Sequence, residues 1–304
     1  MKAFRFSIQL KKPLPLKDQT HTHRSGVLLE KEGRWAEASP LPGFSTETVE
    51  DVIAALRGER DAPPSLQFAL AALDEPAIEQ PLEVPWNYLL LGNRESVLAG
   101  VESCIDSSCR AAKLKVGREE LSTEIALVKE VRDRLPPSVS LRLDANQAWT
   151  FDQASRFMEG IGDVDLEYIE EPLEDASRLE EFYAKTGVHY ALDETLLSGQ
   201  SLDLWPFATA LVCKPTILGG RSSVERLVST GKPVVFSAAF ESGVGIARIV
   251  QLAAEFSPNL AAGLDTLDWL SDDLLLQSPQ KQNGMFRVTG QPIVDTNRLE
   301  RIEL

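Results

Sequence analysis

The sequence is poor in cysteine and histidine, the residues of thiol, zinc and triad chemistry. It has three of each among 304 residues. Three thiols cannot all pair, and Cys104 and Cys109 have neither Cys-x-x-Cys spacing nor a nearby histidine. We therefore expect Cys104, Cys109 and Cys213 to be reduced thiols. With so few histidines and no Gly-x-Ser-x-Gly elbow, a Ser-His-Asp hydrolase is disfavoured.

Positive charge and long apolar runs are also scarce. The formal net charge of −15 would repel a phosphate backbone, which disfavours nucleic acid and anionic membrane as partners. No stretch approaches the roughly 20 apolar residues that span a bilayer, and the first residues lack the apolar core of a signal peptide. We expect a cytoplasmic protein whose partner is a small molecule.

What remains is an ordinary globular composition, with 43% hydrophobic and 25% charged residues. Residues 1–85 read as a separate α+β unit, in which the prolines and glycine of residues 39–45 predict a loop. After Pro85 the pattern changes to short aliphatic runs that alternate with amphipathic stretches of helix length.

Eight candidate strands follow Pro85, which is the pattern of a (β/α) barrel whose strands are covered on both sides. They are residues 87–91, 111–116, 140–145, 166–171, 189–194, 209–214, 234–239 and 261–266. Polar residues should then mark the carboxyl-terminal ends of the strands, where barrel enzymes place their chemistry.

Lysines and carboxylates occur at these strand ends. Residues i and i+2 of a strand share a face, so Lys113 and Lys115 point the same way, as do Arg142 and Asp144. One rim of the predicted barrel therefore collects lysines that face carboxylates.

Three acidic strand ends predict a metal site. Asp144, Glu170 and Asp193 would supply hard oxygen ligands from different directions, as Mg²⁺ requires, with Mn²⁺ as a substitute. Adjacent residues face opposite sides of a strand, so the sequence leaves open the choice between Glu170 and Glu171. Asp193 and Glu194 pose the same question.

The lysines at the strand ends are candidates for the catalytic base. A neighbouring ammonium and the cation would lower the pKa of one lysine of the Lys113 and Lys115 pair. Lys214, four strands away, would act from the opposite face. A bound metal would stabilise the enediolate formed when a carbon acid beside a carboxylate loses its proton.

The ordered set of motifs resembles the muconate-lactonizing branch of the enolase superfamily, and within it the o-succinylbenzoate synthase family. The residues that carry the resemblance are Ala38-Ser39-Pro40-Leu41-Pro42-Gly43-Phe44-Ser45, Lys113-Leu114-Lys115-Val116-Gly117, Arg142-Leu143-Asp144-Ala145-Asn146-Gln147-Ala148-Trp149, Glu170-Glu171-Pro172, Asp193-Glu194, Lys214-Pro215 and Gly263-Leu264-Asp265-Thr266.

The resemblance implies a (β/α)7β barrel in residues 86–280, an α+β cap in residues 1–85, and a tail in residues 281–304 that returns to the cap. It implies Mg²⁺ on Asp144, Glu170 and Asp193. It also implies syn dehydration of 2-succinyl-6-hydroxy-2,4-cyclohexadiene-1-carboxylate, a step toward menaquinone. Lys115 would take the α-proton, and Lys214 would stabilise the enediolate.

Substrate contacts are predicted at two places. Arg142 and Asn146 belong to the motif around Asp144, and Ser242 with Gly243 opens an amphipathic stretch whose backbone N–H groups can hold an anion. The resemblance suggests the succinyl carboxylate as that anion, whereas a plain helix start explains the same residues.

Other activities use the same constellation. A racemase of N-acylamino acids or a dipeptide epimerase would use both lysines as acid and base, and muconate cycloisomerase is built on the same residues. A non-catalytic barrel that binds a small acid is the alternative from outside enzymology. The sequence leaves the oligomeric state open.

Overall fold

The computed structural model describes residues 1–16 and 19–304. Its N-terminal part is an antiparallel sheet with two helices against one face, as expected for the cap. The elements are β1 (Lys2–Leu16), β2 (Gln19–Lys31), β3 (Arg34–Ala38), α1 (Val49–Leu56), α2 (Pro64–Asp74) and β4 (Leu82–Pro85). Residues 39–45 form a loop after β3, as predicted.

The helices of this part begin at clear sequence signals. Thr48 and Asp51 form a reciprocal capping box at the start of α1, which satisfies N–H groups that the first turn leaves unpaired. Pro64 opens α2, a position where the missing N–H of proline costs nothing.

A parallel sheet with helices outside it follows, and it confirms the predicted barrel class. The elements are β5 (Asn87–Leu90), α3 (Arg94–Asp106), β6 (Ala111–Lys115), α4 (Leu121–Arg134), β7 (Ser140–Asp144), α5 (Phe151–Ile161), β8 (Tyr168–Glu170), α6 (Leu179–Thr186), β9 (Tyr190–Leu192), β10 (Ala208–Cys213), α7 (Pro215–Leu218), α8 (Arg221–Val228), β11 (Val234–Phe236) and α9 (Gly243–Phe256). The seven strands of this sheet lie in the order β11-β10-β9-β8-β7-β6-β5 in the described part of the chain.

The eighth predicted strand, residues 261–266, is present only as two isolated parallel β-bridges, at Ala262 and Gly263. The N–H of Asn87 donates to Ala262 O at 2.9 Å, and the N–H of Ala238 donates to Gly263 O at 2.8 Å. These bonds join the two edge strands β5 and β11 through residues 262 and 263, and so close the barrel. A 3-10 turn, Asp265–Trp269, takes the remaining predicted residues because the chain leaves the barrel there.

The connection from β9 to β10 also departs from the helix-length pattern. It contains two short 3-10 turns, Glu194–Ser198 and Leu202–Leu204, where the other parallel strands are joined through α-helices. Within the described ranges, no helix has the length and apolar character needed to traverse a bilayer.

The C-terminal residues form strands that pair with two strands of the N-terminal part. Strands β12 (Gln280–Gln282), β13 (Met285–Val288) and β14 (Glu300–Ile302) complete the element order. Strand β13 pairs with β4, and β14 pairs antiparallel with β1 through Ala3 and Ile302. The tail therefore reaches the N-terminal sheet, although the boundaries at residues 85 and 280 stay predictions.

Apolar residues join the N-terminal sheet to the barrel. Phe6, Ile8 and Leu28 from the sheet share one buried cluster with Val244 of α9 and Leu270. Each Å² of apolar surface removed from water at this contact contributes roughly 25 cal/mol of stabilising free energy. This burial favours a single arrangement of the N-terminal sheet and the barrel.

We predict that Gly284 is required for docking of the tail. Its φ is +71°, and an added Cβ would lie 2.1 Å from Ser108 O. Gly284→Ala should lower the free energy of unfolding by about 2–5 kcal/mol, from left-handed backbone strain plus overpacking.

Gly33 is the matched control, because its φ is +79° and an added Cβ meets nothing within 4 Å. Gly33→Ala should cost only about 1–2 kcal/mol from backbone strain. Urea unfolding followed by circular dichroism compares the two variants. Equal losses would mean that the tail shifts to accept the methyl group.

Candidate active site

The register of three parallel strands brings the predicted residues together. Lys115 pairs with Asp144 across β6 and β7, and Asp144 pairs with Glu170 across β7 and β8. These three residues therefore lie at one level, at the carboxyl-terminal end of the barrel. Lys113, two residues before Lys115, lies one layer below on the same face.

The lysines and carboxylates form a compact ion-pair cluster. Lys113 Nζ lies 2.7 Å from both Asp144 Oδ2 and Glu170 Oε2. Lys115 Nζ donates to Asp144 Oδ2 at 2.6 Å and to Asn146 Oδ1 at 2.7 Å. The side chains of Asp144 and Glu170 are no more than 1% exposed, so each buried charge is compensated within the cluster.

Burial and neighbouring charge separate the two lysines of β6. Burial lowers the pKa of Lys115, and the adjacent Lys113 ammonium lowers it further, against the attraction of Asp144. Burial would also lower the pKa of Lys113, but Asp144 and Glu170 outweigh it and raise that pKa well above its usual value. Of the pair, Lys115 is therefore the better base, and Lys113 the permanent cation.

Lys214 approaches from the other side of the barrel, directly after β10. Its ammonium forms an ion pair with Asp193. Burial tends to lower the pKa of Lys214, but Asp193 and Glu194 raise it overall. Lys214 Nζ also lies 5.6 Å from the ring centre of Phe44, which comes from the loop after β3. A residue of the N-terminal part thus reaches the cluster.

The structure distinguishes the two glutamates that the sequence left open. Glu170 points into the cluster, whereas Glu171 Oε1 accepts the N–H groups of Asp193 and Thr195, each at 2.7 Å. Glu171 Oε2 accepts the Gln147 amide at 3.0 Å. The geometry therefore favours Glu170 as a ligand, and makes Glu171 the group that fixes the backbone beside Asp193.

Asn146 links the cluster to a further carboxylate. While its Oδ1 accepts from Lys115, its Nδ2 donates to Glu194 Oε1 at 2.8 Å. Burial raises the pKa of Glu194 to about 7, and the charge of Asp193 adds to the shift. Both members of the Asp193 and Glu194 pair therefore border the site.

The carboxylates of this site are hard oxygen donors of the type that a divalent cation such as Mg²⁺ prefers, although lysine ammonium groups lie against them in this structure. Glu194 Oε2 is buried and accepts no hydrogen bond from the described residues, whereas Glu170 Oε2 has the Lys113 ammonium 2.7 Å away. Burial and the repulsion of Asp144 raise the pKa of Glu170 well above its usual value, so an additional cation would stabilise the ionised cluster. In the described chain no three acidic, histidine or cysteine side chains converge closely enough to hold an ion, because lysine ammonium groups lie between the carboxylates.

Arg142 takes a different position from the predicted one. Its Nη1 donates to Ala261 O at 2.7 Å, and its Nε donates to Glu167 at 2.7 Å. Both partners precede their strands, so this guanidinium points toward the amino-terminal end of the barrel, away from the carboxylates that face Lys115. The position favours a role in holding the barrel together and not a substrate contact.

Ser242 and Gly243 also differ from the expectation. Ser242 N–H donates to Glu37 at 3.1 Å, and Gly243 N–H donates to Asp273 Oδ1 at 2.8 Å. A helix start that binds an anion is present, but carboxylates of the protein already accept its hydrogen bonds. A substrate carboxylate would have to displace them.

The sequence patterns do not predict the positions of two residues of the N-terminal part: Phe44 lies beside Lys214, and Glu37 binds the helix start at Ser242. Phe44, Asp193, Lys214 and Ile217 line one small pocket. Phe44 belongs to a stretch whose prolines and glycine predict only a loop. The one feature of the sequence that points to Glu37 as a buried carboxylate is its place between Ala36 and Ala38, which are both buried in β3.

Comparison with protein families identifies residues 96–292 as an enolase C-terminal domain-like segment. The chain is similar to the o-succinylbenzoate synthase of Haemophilus influenzae, with 29% identity over 91% of this chain and 92% of that protein. It is 27% identical to the o-succinylbenzoate synthase of Pectobacterium atrosepticum, over 91% of this chain and 93% of that protein.

Solved structures have the same architecture. The o-succinylbenzoate synthase of Thermosynechococcus elongatus, complexed with Mg in its active site, matches with a TM-score of 0.77 and 26% identity over 90% of this chain and 96% of that chain. The L-Ala-D/L-Glu epimerase of Bacillus subtilis matches with a TM-score of 0.82 and 19% identity, over 96% of both chains. The second likeness concerns the fold alone.

We predict that Glu170 and Glu171 differ in their effect on Mg²⁺ affinity. Glu170→Gln removes a charge from the cluster and should weaken Mg²⁺ binding by more than about 100-fold, beyond the 10–100-fold typical of residues that support ligands. Glu171→Gln keeps an oxygen for the Asp193 and Thr195 N–H groups, so it should weaken binding by only about tenfold.

Isothermal titration of each variant with Mg²⁺ measures the difference. Both substitutions conserve size and remove one charge, so each controls for the other. The reverse ranking would assign the ligand role to Glu171.

Proposed function

The chain belongs to the enolase C-terminal domain-like family, and we propose that it is an o-succinylbenzoate synthase. The proposed reaction is the syn dehydration of 2-succinyl-6-hydroxy-2,4-cyclohexadiene-1-carboxylate to o-succinylbenzoate, toward menaquinone. The observation that carries the proposal is the cluster of Lys115, Asp144 and Glu170, with Asp193 and Lys214 opposite. Likeness to proteins of that name over 91% of the chain supports the choice of substrate.

Lys115 is the proposed acid and base. Its free amine accepts the proton from the ring carbon that bears the carboxylate, and the C–H electron pair enters the enediolate. As the enediolate collapses, that pair forms a ring double bond while the neighbouring C–O bond breaks. The Lys115 ammonium returns its proton to the departing hydroxyl, which leaves as water. Lys115 therefore acts first as base and then as acid on the same face of the ring.

The other charged residues prepare the site for this chemistry. Asp144, Glu170 and Asp193 are the proposed Mg²⁺ ligands, and Mg²⁺ when bound supplies positive charge for the substrate carboxylate. Burial lowers the pKa of Lys115, and the adjacent Lys113 ammonium adds to this effect. Lys214, on the opposite side, remains an ammonium that stabilises the developing negative charge.

A dipeptide epimerase is the second candidate. Lys115 at the end of β6 and Lys214 directly after β10 approach from opposite sides, which suits removal of a proton from one face and its return to the other. Exchange of the α-proton with solvent deuterium, without loss of substrate, separates this activity from dehydration.

We predict rapid, Mg²⁺-dependent aromatisation of the cyclohexadiene substrate. Lys115→Ala should lower kcat by about 10²–10⁴-fold, the usual contribution of a general acid and base. Loss of the diene absorbance measures the rate, with an EDTA control. Lys129→Ala is the matched control because Lys129 is exposed on α4.

No turnover by the wild-type protein would contradict the synthase proposal. If the protein instead exchanges the α-proton of L-Ala-D-Glu in deuterated water, the epimerase reading replaces it.

We also predict that Asp193 links metal binding to activity. Asp193→Asn removes a charged oxygen ligand, so Mg²⁺ affinity and activity at limiting Mg²⁺ should fall together by at least about tenfold. Asp165→Asn, an exposed aspartate before β8, should change neither. Full activity of Asp193→Asn at limiting Mg²⁺ would refute its assignment as a ligand.

A further inference from the structure

A buried carboxylate of the N-terminal sheet is bonded to the start of a barrel helix. Glu37 is 1% exposed and lies at the end of β3. Its Oε2 accepts the N–H of Ser242 at 3.1 Å, the Ser242 hydroxyl at 2.5 Å and the N–H of Gly245 at 3.0 Å. Ser39 Oγ completes the set with a 2.7 Å bond to Oε1. One side chain thus bonds both parts of the molecule.

Gly245 shows that the approach is close. A Cβ at this position would lie 2.7 Å from Glu241 Cβ and 3.1 Å from Glu37 Oε2. A residue with a side chain would push both glutamates away from the helix start. Gly245 therefore makes room for a protein carboxylate at this helix start.

Arg24 makes a second connection at the same place. Its guanidinium donates to Pro40 O at 2.5 Å on the N-terminal side, and to Phe240 O at 3.1 Å and Ala239 O at 3.3 Å on the barrel side. Arg24 is 3% exposed, and its charge offsets the buried carboxylates of Glu37 and Glu241. The loops that follow β3 and β11 are thereby tied together.

The loop after β3, residues 39–45, continues directly into the active site. Beyond Ser39 and Pro40, the chain turns at Leu41, whose carbonyl accepts the N–H groups of Phe44 at 3.0 Å and Ser45 at 2.8 Å. This turn places Phe44 over Lys214. The hydrogen bonds of the turn are internal, and Leu41 packs in the apolar cluster that contains Ile217 and Ala239, so the hydrogen bonds that tie this loop to the barrel lie at its beginning.

We propose that Glu37 is a positioning residue that, with Arg24, fixes residues 39–45 and hence Phe44 at the open end of the barrel. Glu37 acts through the loop and touches neither the carboxylate cluster nor its lysines in the structure. The choice of substrate in the kinetic test rests on the proposed function, whereas the tie between loop and barrel does not.

Glu37→Gln tests the tie, because its amide group would place a donor against the donors of Ser242 or Gly245. Hydrogen exchange of the full-length protein with Mg²⁺, followed by mass spectrometry, should show faster exchange in residues 39–45 and 239–245. KM should rise about tenfold, as expected for loss of a charge-assisted hydrogen bond, while kcat changes less than about threefold. Mg²⁺ affinity should be unchanged.

Glu47→Gln is the matched control. Glu47 is also a buried glutamate of the N-terminal part, 5% exposed, and accepts the N–H of Ser65 at 3.0 Å within that part. The Glu47→Gln substitution should leave KM unchanged, together with the rate of amide hydrogen exchange in residues 39–45 and 239–245. If Glu37→Gln does not fold, Ser39→Ala removes one bond to Glu37 and should raise KM by about threefold in the same direction.

The outcomes distinguish the two proposals. An unchanged KM in Glu37→Gln, or an equal rise in Glu47→Gln, would overturn the positioning role. If the wild-type protein fails to convert the cyclohexadiene, the synthase proposal falls. Hydrogen exchange then decides whether Glu37 holds residues 39–45 in place. Unchanged exchange in Glu37→Gln would contradict the positioning role of Glu37 as well.

Discussion

Mutual compensation of buried charges at the carboxyl-terminal end of the barrel is the interaction on which the site depends. Asp144 and Glu170 are almost fully buried, and without nearby cations their ionised forms would cost several kcal/mol each. Lys113 supplies a positive charge to both. Removing one member leaves another buried charge unpaired, so binding, proton transfer and stability are coupled here.

The same constraint explains why neighbouring residues of one motif have separate roles. Glu170 is paired inside the barrel, whereas Glu171 has a left-handed φ of 43° and accepts hydrogen bonds from the backbone beside Asp193. Such a conformation costs a non-glycine residue about 1 kcal/mol or more, and the bonds of its carboxylate offset it. The motif therefore supplies a charge and also fixes the position of the next strand end.

A second group of buried charges joins the N-terminal sheet to the barrel. Burial raises the pKa of Glu37 to about 7, against the hydroxyl bonds from Ser242 and Ser39. Arg24 lies nearby with its hydrogen bonds directed to carbonyl groups. Since polar groups at this depth need partners, the contact favours one arrangement more sharply than apolar packing alone would.

The sequence by itself determined the barrel class, the strand ends and the charged residues there, because covered strands are apolar up to their last residues and side chains alternate with period two. It could not decide which of Glu170 and Glu171 faces inward, since that depends on how helices pack against the sheet. It could not show that Arg142 points to the opposite end of the barrel. Only the tertiary structure brought Glu37 to Ser242, 205 residues away, because such a contact leaves no periodic signal in the chain.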